Sequence, residues 1–248
     1  MIRAAVFDLD GTLIGKSEKV SAKVAHAVSL VCEKVPAAIA TGREAAHVID
    51  FARRLGLTAP QISDGGAAIL DPASGRAIWT APLRPGLAQE IIIGLHTQGT
   101  AFIATYPGGS TKSIDRIPNQ NLIRVSALDL DEQGADKLAA RFYPCPELHV
   151  VKVFLAYNGL WAVDFTRSGV DKAAAAQKLA RMIGVDVEDM VAAGDSYNDL
   201  PLLQLCGFSI AMGDAPEALK AIADYVAPPV EEDGLAVAIE EFVLPRLQ

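Results

Sequence analysis

Short apolar runs alternating with amphipathic stretches set the rhythm at both ends of the chain. Residues 3–7 form an apolar run that meets Asp8 and Asp10, the pattern of a buried strand with polar residues at its end. Val20, Val24, Ala27, Val28 and Val31 then recur at helical spacing and predict an amphipathic helix over about 19–33, closed by Pro36. A second apolar run, 37–40, leads into Thr41-Gly42-Arg43, and a helix over about 44–55 stops at Gly56. Strand, helix, strand, helix is the signature of a parallel sheet covered on both faces.

The rhythm then changes. Runs 67–70 and 76–79 flank Asp71-Pro72-Ala73-Ser74-Gly75 and predict a hairpin, and Pro82 and Pro85 read as a linker. A helix near 87–96, a strand near 101–106 and a helix near 131–142 follow. Runs 150–157 and 160–165 flank Asn158-Gly159, the strongest short hairpin signal in the chain. The parallel rhythm returns with a helix over 172–183, a strand over 190–193 ending in Gly194-Asp195, and short strands at 208–211 and 225–226. The expected architecture is α/β: one domain built from residues 1–81 and 169–248, with a smaller α+β domain inserted at 82–168.

Composition narrows the function classes. With 248 residues, 51% of them hydrophobic and 21% charged, the chain can bury a core and lies far from the disordered class. A formal charge of −8 argues against nucleic acid as a partner. Cys32, Cys145 and Cys206 are odd in number and form no CxxC, which fits a reducing compartment without disulfides or a zinc site. The first apolar run is too short for a signal peptide. The longest stretch free of Asp, Glu, Lys and Arg, 91–111, contains His96, Gln98, Gly99, Pro107, Gly108 and Gly109, so it predicts no membrane span. The expectation is a cytoplasmic protein that engages neither nucleic acid nor membrane.

The chemistry gathers at the predicted strand ends. Asp8 and Asp10 follow the first strand, Asp195 follows a later one, and Asp199 comes four residues on. Ligands of open parallel sheets bind at the carboxyl ends of strands. Carboxylates crowded at one edge repel unless a cation sits among them, and oxygen-only ligands favour a hard ion, Mg2+ above all. Thr41 ends another strand and Lys172 opens a helix. A hydroxyl, a helix N-terminus and a lysine form a receptor for a phosphoryl group. Together the parts suit magnesium-assisted phosphoryl transfer.

Asp8-Leu9-Asp10-Gly11-Thr12-Leu13 resembles the first motif of the haloacid dehalogenase-like (HAD) phosphatases, and Ala40-Thr41-Gly42-Arg43 resembles the second motif of their Cof-type branch. Lys172 in Gly169-Val170-Asp171-Lys172-Ala173 matches the third, and Gly194-Asp195-Ser196-Tyr197-Asn198-Asp199 matches the fourth. Ala211-Met212-Gly213-Asp214-Ala215 and Glu232-Asp233-Gly234 resemble later Cof-type signatures. The resemblance implies a Rossmann-like core with an inserted α/β cap. It implies Asp8 as the nucleophile that forms an aspartyl-phosphate and Asp10 as the acid, then base, of the two half-reactions. It implies Mg2+ held by Asp8, Asp195 and the Asp10 carbonyl, with Ser196 or Asp199 supporting the ion. Thr41, the backbone N–H groups of Leu9 and Gly42, Lys172 and Asn198 would hold the phosphoryl oxygens.

Some positions read two ways. Asp199 is either part of the metal site or an N-terminal helix charge. Arg43 is a surface residue or a substrate contact. Lys112 and Arg116 lie in a polar loop of the insertion, as substrate contacts or as solvated charges. The chain departs from the Cof pattern at Gly65-Gly66-Ala67, where relatives commonly read Asn-Gly-Ala, and at Asp214, where Asn is common. The expected activity is a phosphatase acting on a small phosphorylated metabolite, such as a sugar phosphate or phosphoglycolate. A phosphomutase or phosphotransferase on the same core is the alternative. A signalling receiver domain shares Asp, Thr and Lys around Mg2+, but it is about half this length and lacks an acid two residues past the phosphorylated aspartate.

Overall fold

β1 (Ala4–Phe7) is buried along its whole length, as an apolar run flanked on both faces requires. In the computed structural model, which describes residues 1–117, 121–155 and 158–247, α1 (Ala22–Cys32), β2 (Ala37–Ile39), α2 (Ala45–Arg54), β3 (Gln61–Ser63) and β4 (Ala68–Asp71) follow it. α1 starts where Ser21 Oγ accepts the Val24 N–H, and it buries Val24, Ala27, Val28 and Val31, the stripe that its spacing predicts. The chain then runs through β5 (Arg76–Thr80), α3 (Pro85–Thr97), β6 (Phe102–Tyr106), β7 (Gly109–Thr111), β8 (Arg124–Leu130), α4 (Glu132–Phe142), β9 (Leu148–Leu155) and β10 (Leu160–Arg167). It returns through α5 (Lys172–Ile183), β11 (Met190–Gly194), α6 (Leu200–Leu205), β12 (Phe208–Ala211), α7 (Glu217–Lys220), β13 (Tyr225–Val226) and α8 (Gly234–Ala238).

These elements divide into two units, Met1–Gly75 with Asp171–Gln248, and Arg76–Val170. The changeovers fall six residues before and two residues after those expected at 81/82 and 168/169. In the first unit five parallel strands run in the order β13-β12-β11-β1-β2. The chain leaves β1 toward β2 on one side and later builds outward from β11 on the other. Strand order therefore reverses beside β1, the switch point at which α/β sheets bind ligands. α1 packs on α8, and α5 packs on α6, β3 and β4. The Asp171 side chain accepts the Ala174 N–H at 2.7 Å to cap α5, and Gly184 ends that helix in the left-handed conformation.

β3 is not predicted by the hydrophobic pattern. Its Gln61 side chain is fully buried and ties it to the strand before it. Gln61 Oε1 accepts the Ile39 N–H at 2.8 Å, while Nε2 donates to the carbonyls of Ala37 and Ala59.

The second unit is an antiparallel sheet in the order β7-β6-β8-β10-β9, with α3 and α4 contributing to one core with it. Leu87, Ile91, Phe102, Val125, Phe142 and Phe165 anchor that core, and the rings of Phe142 and Phe165 meet edge to face at 5.0 Å. Pro85 is not a linker residue. It opens α3, where its fixed φ and missing N–H suit the first turn. The 157 end of the run expected at 150–157 lies outside the described residues; β9 and β10 pair in register from Leu155–Leu160 to Leu148–Arg167. Among the described residues no helix is long and apolar enough to cross a membrane.

Candidate active site

Phe7 pairs with Ala193 of β11 on one side and with Ile39 of β2 on the other. Asp8, Thr41 and Asp195 therefore leave the sheet at one edge, held there by the Asp8 N–H on the Ala193 carbonyl and the Ala40 N–H on the Phe7 carbonyl, both at 2.9 Å. Gly11 has φ +85°, and a Cβ there would collide with Asp195 Oδ2, so only glycine lets the loop after Asp8 pass that close. Gly66, at φ +103°, likewise has no room for a Cβ against the Asp171 carbonyl at the start of α5.

Lys172, the first residue of α5, lies at the centre. Its Nζ donates to Asp8 Oδ1 at 2.5 Å, Asp199 Oδ1 at 2.6 Å and Asn198 Oδ1 at 3.3 Å. Asp8 and Lys172 are each 3% exposed and Asp199 not at all. Asp199 Oδ2 accepts the N–H groups of Asp195 at 3.2 Å and Ser196 at 3.1 Å, and the Ser196 hydroxyl lies 2.7 Å from Asn198 Oδ1. Asp199 thus braces the turn that carries Asp195 and serves as counter-ion to Lys172.

Burial drives the electrostatics. It raises the Asp8 carboxyl well above the ordinary carboxylate range; Lys172 opposes this, and Asp199 and Asp195 add to it. Burial also pushes Asp195 up to about 7, with the charge of Asp199 next in weight. Burial works against the Lys172 ammonium, yet the charges and hydrogen bonds of Asp199 and Asp8 outweigh it and hold the amine above its usual range.

Asp8, Asp195 and Asp199 offer carboxylate oxygens all within 4.8 Å of one another. Asp195 Oδ1 is buried and has no hydrogen-bond partner. Three carboxylates face one ammonium, and an orphaned oxygen lies among them. Donors of this kind fit a hard divalent cation.

Asp10 is turned elsewhere. Arg43 Nε donates to its Oδ1 at 3.1 Å and Oδ2 at 3.0 Å, and Arg43 Nη2 donates to Oδ1 at 2.6 Å. The same Nη2 reaches Glu18 Oε1 at 3.3 Å. The Arg43 backbone is pinned as well: its N–H donates to Thr41 Oγ1 at 3.1 Å and its carbonyl accepts the Asp64 N–H at 2.9 Å.

A family model for haloacid dehalogenase-like hydrolases matches residues 5–112 and 105–239. The chain belongs to that family. It is 25% identical over 241 residues to the phosphoglycolate phosphatase of Methanosarcina mazei, covering 96% of this chain and 95% of that one. It is 25% identical over 246 residues to a 5-amino-6-(5-phospho-D-ribitylamino)uracil phosphatase of Bacillus subtilis, covering 98% and 96%. A haloacid dehalogenase-like hydrolase structure from B. subtilis superposes with a TM-score of 0.85 at 19% identity, over 97% of this chain and all of the other. The protein is a HAD-like phosphatase.

Within this HAD core the structure brings together Asp8, Lys172, Asp195, Ser196, Asn198 and Asp199, and it sets Thr41 and Gly42 in the loop after β2. Leu9 is buried in the turn after β1, its carbonyl accepting the Leu13 and Ile14 N–H groups. The Asp10 carboxylate does not join the metal-type cluster of Asp8, Asp195 and Asp199; it pairs with Arg43. Lys112 and Arg116 belong to the second unit, where both are exposed. Sequence reasoning missed Asp64, which is buried at φ +54° and accepts the Ser63 hydroxyl at 2.8 Å. Its only signal is a glycine pair that marks a turn.

Proposed function

We propose that this phosphatase hydrolyses a small phosphorylated metabolite, Mg2+-dependently and through an aspartyl-phosphate on Asp8. The observation that carries this reading is the buried contact of Lys172 with Asp8, beside the unpartnered Asp195 oxygen. An Asp8 oxygen attacks phosphorus as the bond to the ester oxygen breaks, and Asp10 supplies the proton that this leaving oxygen needs. Asp10 then takes a proton from the water that attacks the phosphorylated Asp8, releasing inorganic phosphate and restoring both carboxyl groups. Lys172, the Thr41 hydroxyl, the N–H groups of Leu9 and Gly42, and Asn198 hold the phosphoryl oxygens in line.

Asp8 and Asp195, with the Asp10 carbonyl, would hold Mg2+, and Ser196 or Asp199 would support the ion. Bound there, Mg2+ neutralises charge so that an anionic nucleophile can approach a phosphate dianion. We assign substrate selection to the Arg76–Val170 unit, with Lys112 and Arg116 as candidate contacts to an anionic metabolite. The names of two relatives, a phosphoglycolate phosphatase and a 5-amino-6-(5-phospho-D-ribitylamino)uracil phosphatase, support a small phosphate monoester as the substrate. The assigned compartment is the cytoplasm.

The test is phosphate release from a panel of sugar phosphates, phosphoglycolate, nucleotides and p-nitrophenyl phosphate, with Mg2+ and with EDTA. Release should require Mg2+ and vanish in Asp8→Asn. Release that survives in Asp8→Asn, or an isomer formed in place of inorganic phosphate, overturns the reading; the second outcome makes the protein a phosphomutase.

A further inference from the structure

We propose that Arg43 is a positioning residue: its guanidinium sets the orientation of the Asp10 carboxylate for proton transfer. The inference rests on the reading of Asp10 as the acid–base group. Asp10 is half exposed, with 50% of its side chain in solvent, on a loop outside the sheet. A side chain so placed samples several rotamers unless something holds it. Arg43 holds it with two nitrogens, Nε across both oxygens and Nη2 on Oδ1. Fork-on-carboxylate contact fixes the plane of the carboxylate, which a single ammonium cannot do.

Arg43 is itself held in place. Its guanidinium carbon lies 5.9 Å from the centre of the Phe51 ring. Its N–H and carbonyl are tied to Thr41 and Asp64, so the loop that presents the Thr41 hydroxyl also aims Arg43. Glu18, at φ +53° and 3.3 Å from Nη2, is a second and longer contact for the same nitrogen. Ion pairs this exposed add little to stability, so the contribution of the pair is geometric. Arg43 gives up no proton. The proton passes from the Asp10 carboxyl to the ester oxygen as the bond from phosphorus to that oxygen breaks.

The experiment measures single-turnover release of the leaving group by the Mg2+-loaded full-length enzyme. It uses two esters, an alkyl phosphate, whose alkoxide needs a proton, and p-nitrophenyl phosphate, whose phenolate does not. The variants are Arg43→Met, Arg43→Lys, Asp10→Asn and the double variant Asp10→Asn/Arg43→Met, with folding checked by circular dichroism. Arg43→Met should slow alkyl release by about tenfold or more and p-nitrophenolate release by about twofold at most, the pattern of a weakened general acid. In the Asp10→Asn background the same change should cost nothing further, because the residues act as one unit. Arg43→Lys should fall between, and guanidinium ion should partly restore Arg43→Met. Equal losses on both esters with a raised KM make Arg43 a substrate contact and overturn the proposal, as do additive losses in the double variant. Alkyl release that survives Asp10→Asn overturns the reading of Asp10 itself. Loss in Asp10→Asn with none in Arg43→Met overturns only the role of Arg43.

Discussion

Lys172 Nζ bridges Asp8 Oδ1 and Asp199 Oδ1, at 2.5 and 2.6 Å, with all three side chains closed to solvent. The lysine comes from the start of α5 and its partners from the ends of different strand–turn segments, so one ammonium joins the two chain ends that build the core. Lys172→Met leaves two buried carboxylates without their cation. Breaking a buried pair by removing one partner costs about 3–5 kcal/mol. The variant should unfold at clearly lower denaturant than wild type and should release no phosphate. A midpoint unchanged in the absence of metal would show that the bridge carries no structural weight.

The pH dependence of the metal-free protein follows from Asp195 and Asp8. Burial raises both, Asp195 to about 7, whereas an unfolded aspartate titrates near 3.8. A carboxyl raised in the folded state contributes stability that is fully present below the unfolded value and lost as pH rises through the folded one. With EDTA, stability should therefore fall between about pH 4 and 7, and Asp195→Asn should flatten that fall. Mg2+ should then stabilise the protein more at pH 8 than at pH 5, because it binds the ionised carboxylates. Denaturant midpoints at the two pH values, with and without Mg2+, check this. A Mg2+ effect independent of pH would contradict it.

Local signals make much of this legible from sequence. Asp8, Thr41 and Asp195 each end an apolar run, and Lys172 opens an amphipathic one, so their placement needs only the parallel rhythm. Arg43 and Asp10 are 33 residues apart, and no local pattern reports that their side chains meet. β8 is hidden because Arg124 and Ser126 look like an outward polar face, yet both are buried, Arg124 facing Asp164 at 3.8 Å. β7 holds only Gly109, Ser110 and Thr111, without an apolar residue to mark it, and is defined by its pairing with β6. Pro85 shows the reverse error, since proline marks linkers and first helical turns alike.

Gly11 ties backbone conformation to the metal-type cluster. A left-handed residue other than glycine costs about 1–2 kcal/mol, before any collision is counted. Gly11→Ala adds the collision with Asp195 Oδ2, a flexible carboxylate that must swing aside. The expected outcome is a folded protein with Mg2+ affinity lowered at least about tenfold, the scale on which disturbing groups around metal ligands acts. Titration of the Mg2+-induced shift in melting temperature measures it, and unchanged affinity would mean that Asp195 takes no part in holding the ion.

Gln61 gives a variant that should affect folding without affecting chemistry. Its amide satisfies the Ile39 N–H and the Ala37 and Ala59 carbonyls inside the core. Gln61→Leu keeps most of the volume but strands all three backbone groups, at about 1–3 kcal/mol for each buried group left unpaired. Relaxation of the β2 edge recovers part of that, so the expected loss is about 2–4 kcal/mol overall. Thr41 and Arg43 follow β2 directly, so the stability loss and the kinetics must be read together. If β3 serves only as a brace, the folded fraction of Gln61→Leu should turn over substrate within about twofold of wild type, since a brace stabilises ground state and transition state alike. A large fall in kcat with little loss of stability would instead place the β2–β3 junction in control of the Thr41 loop.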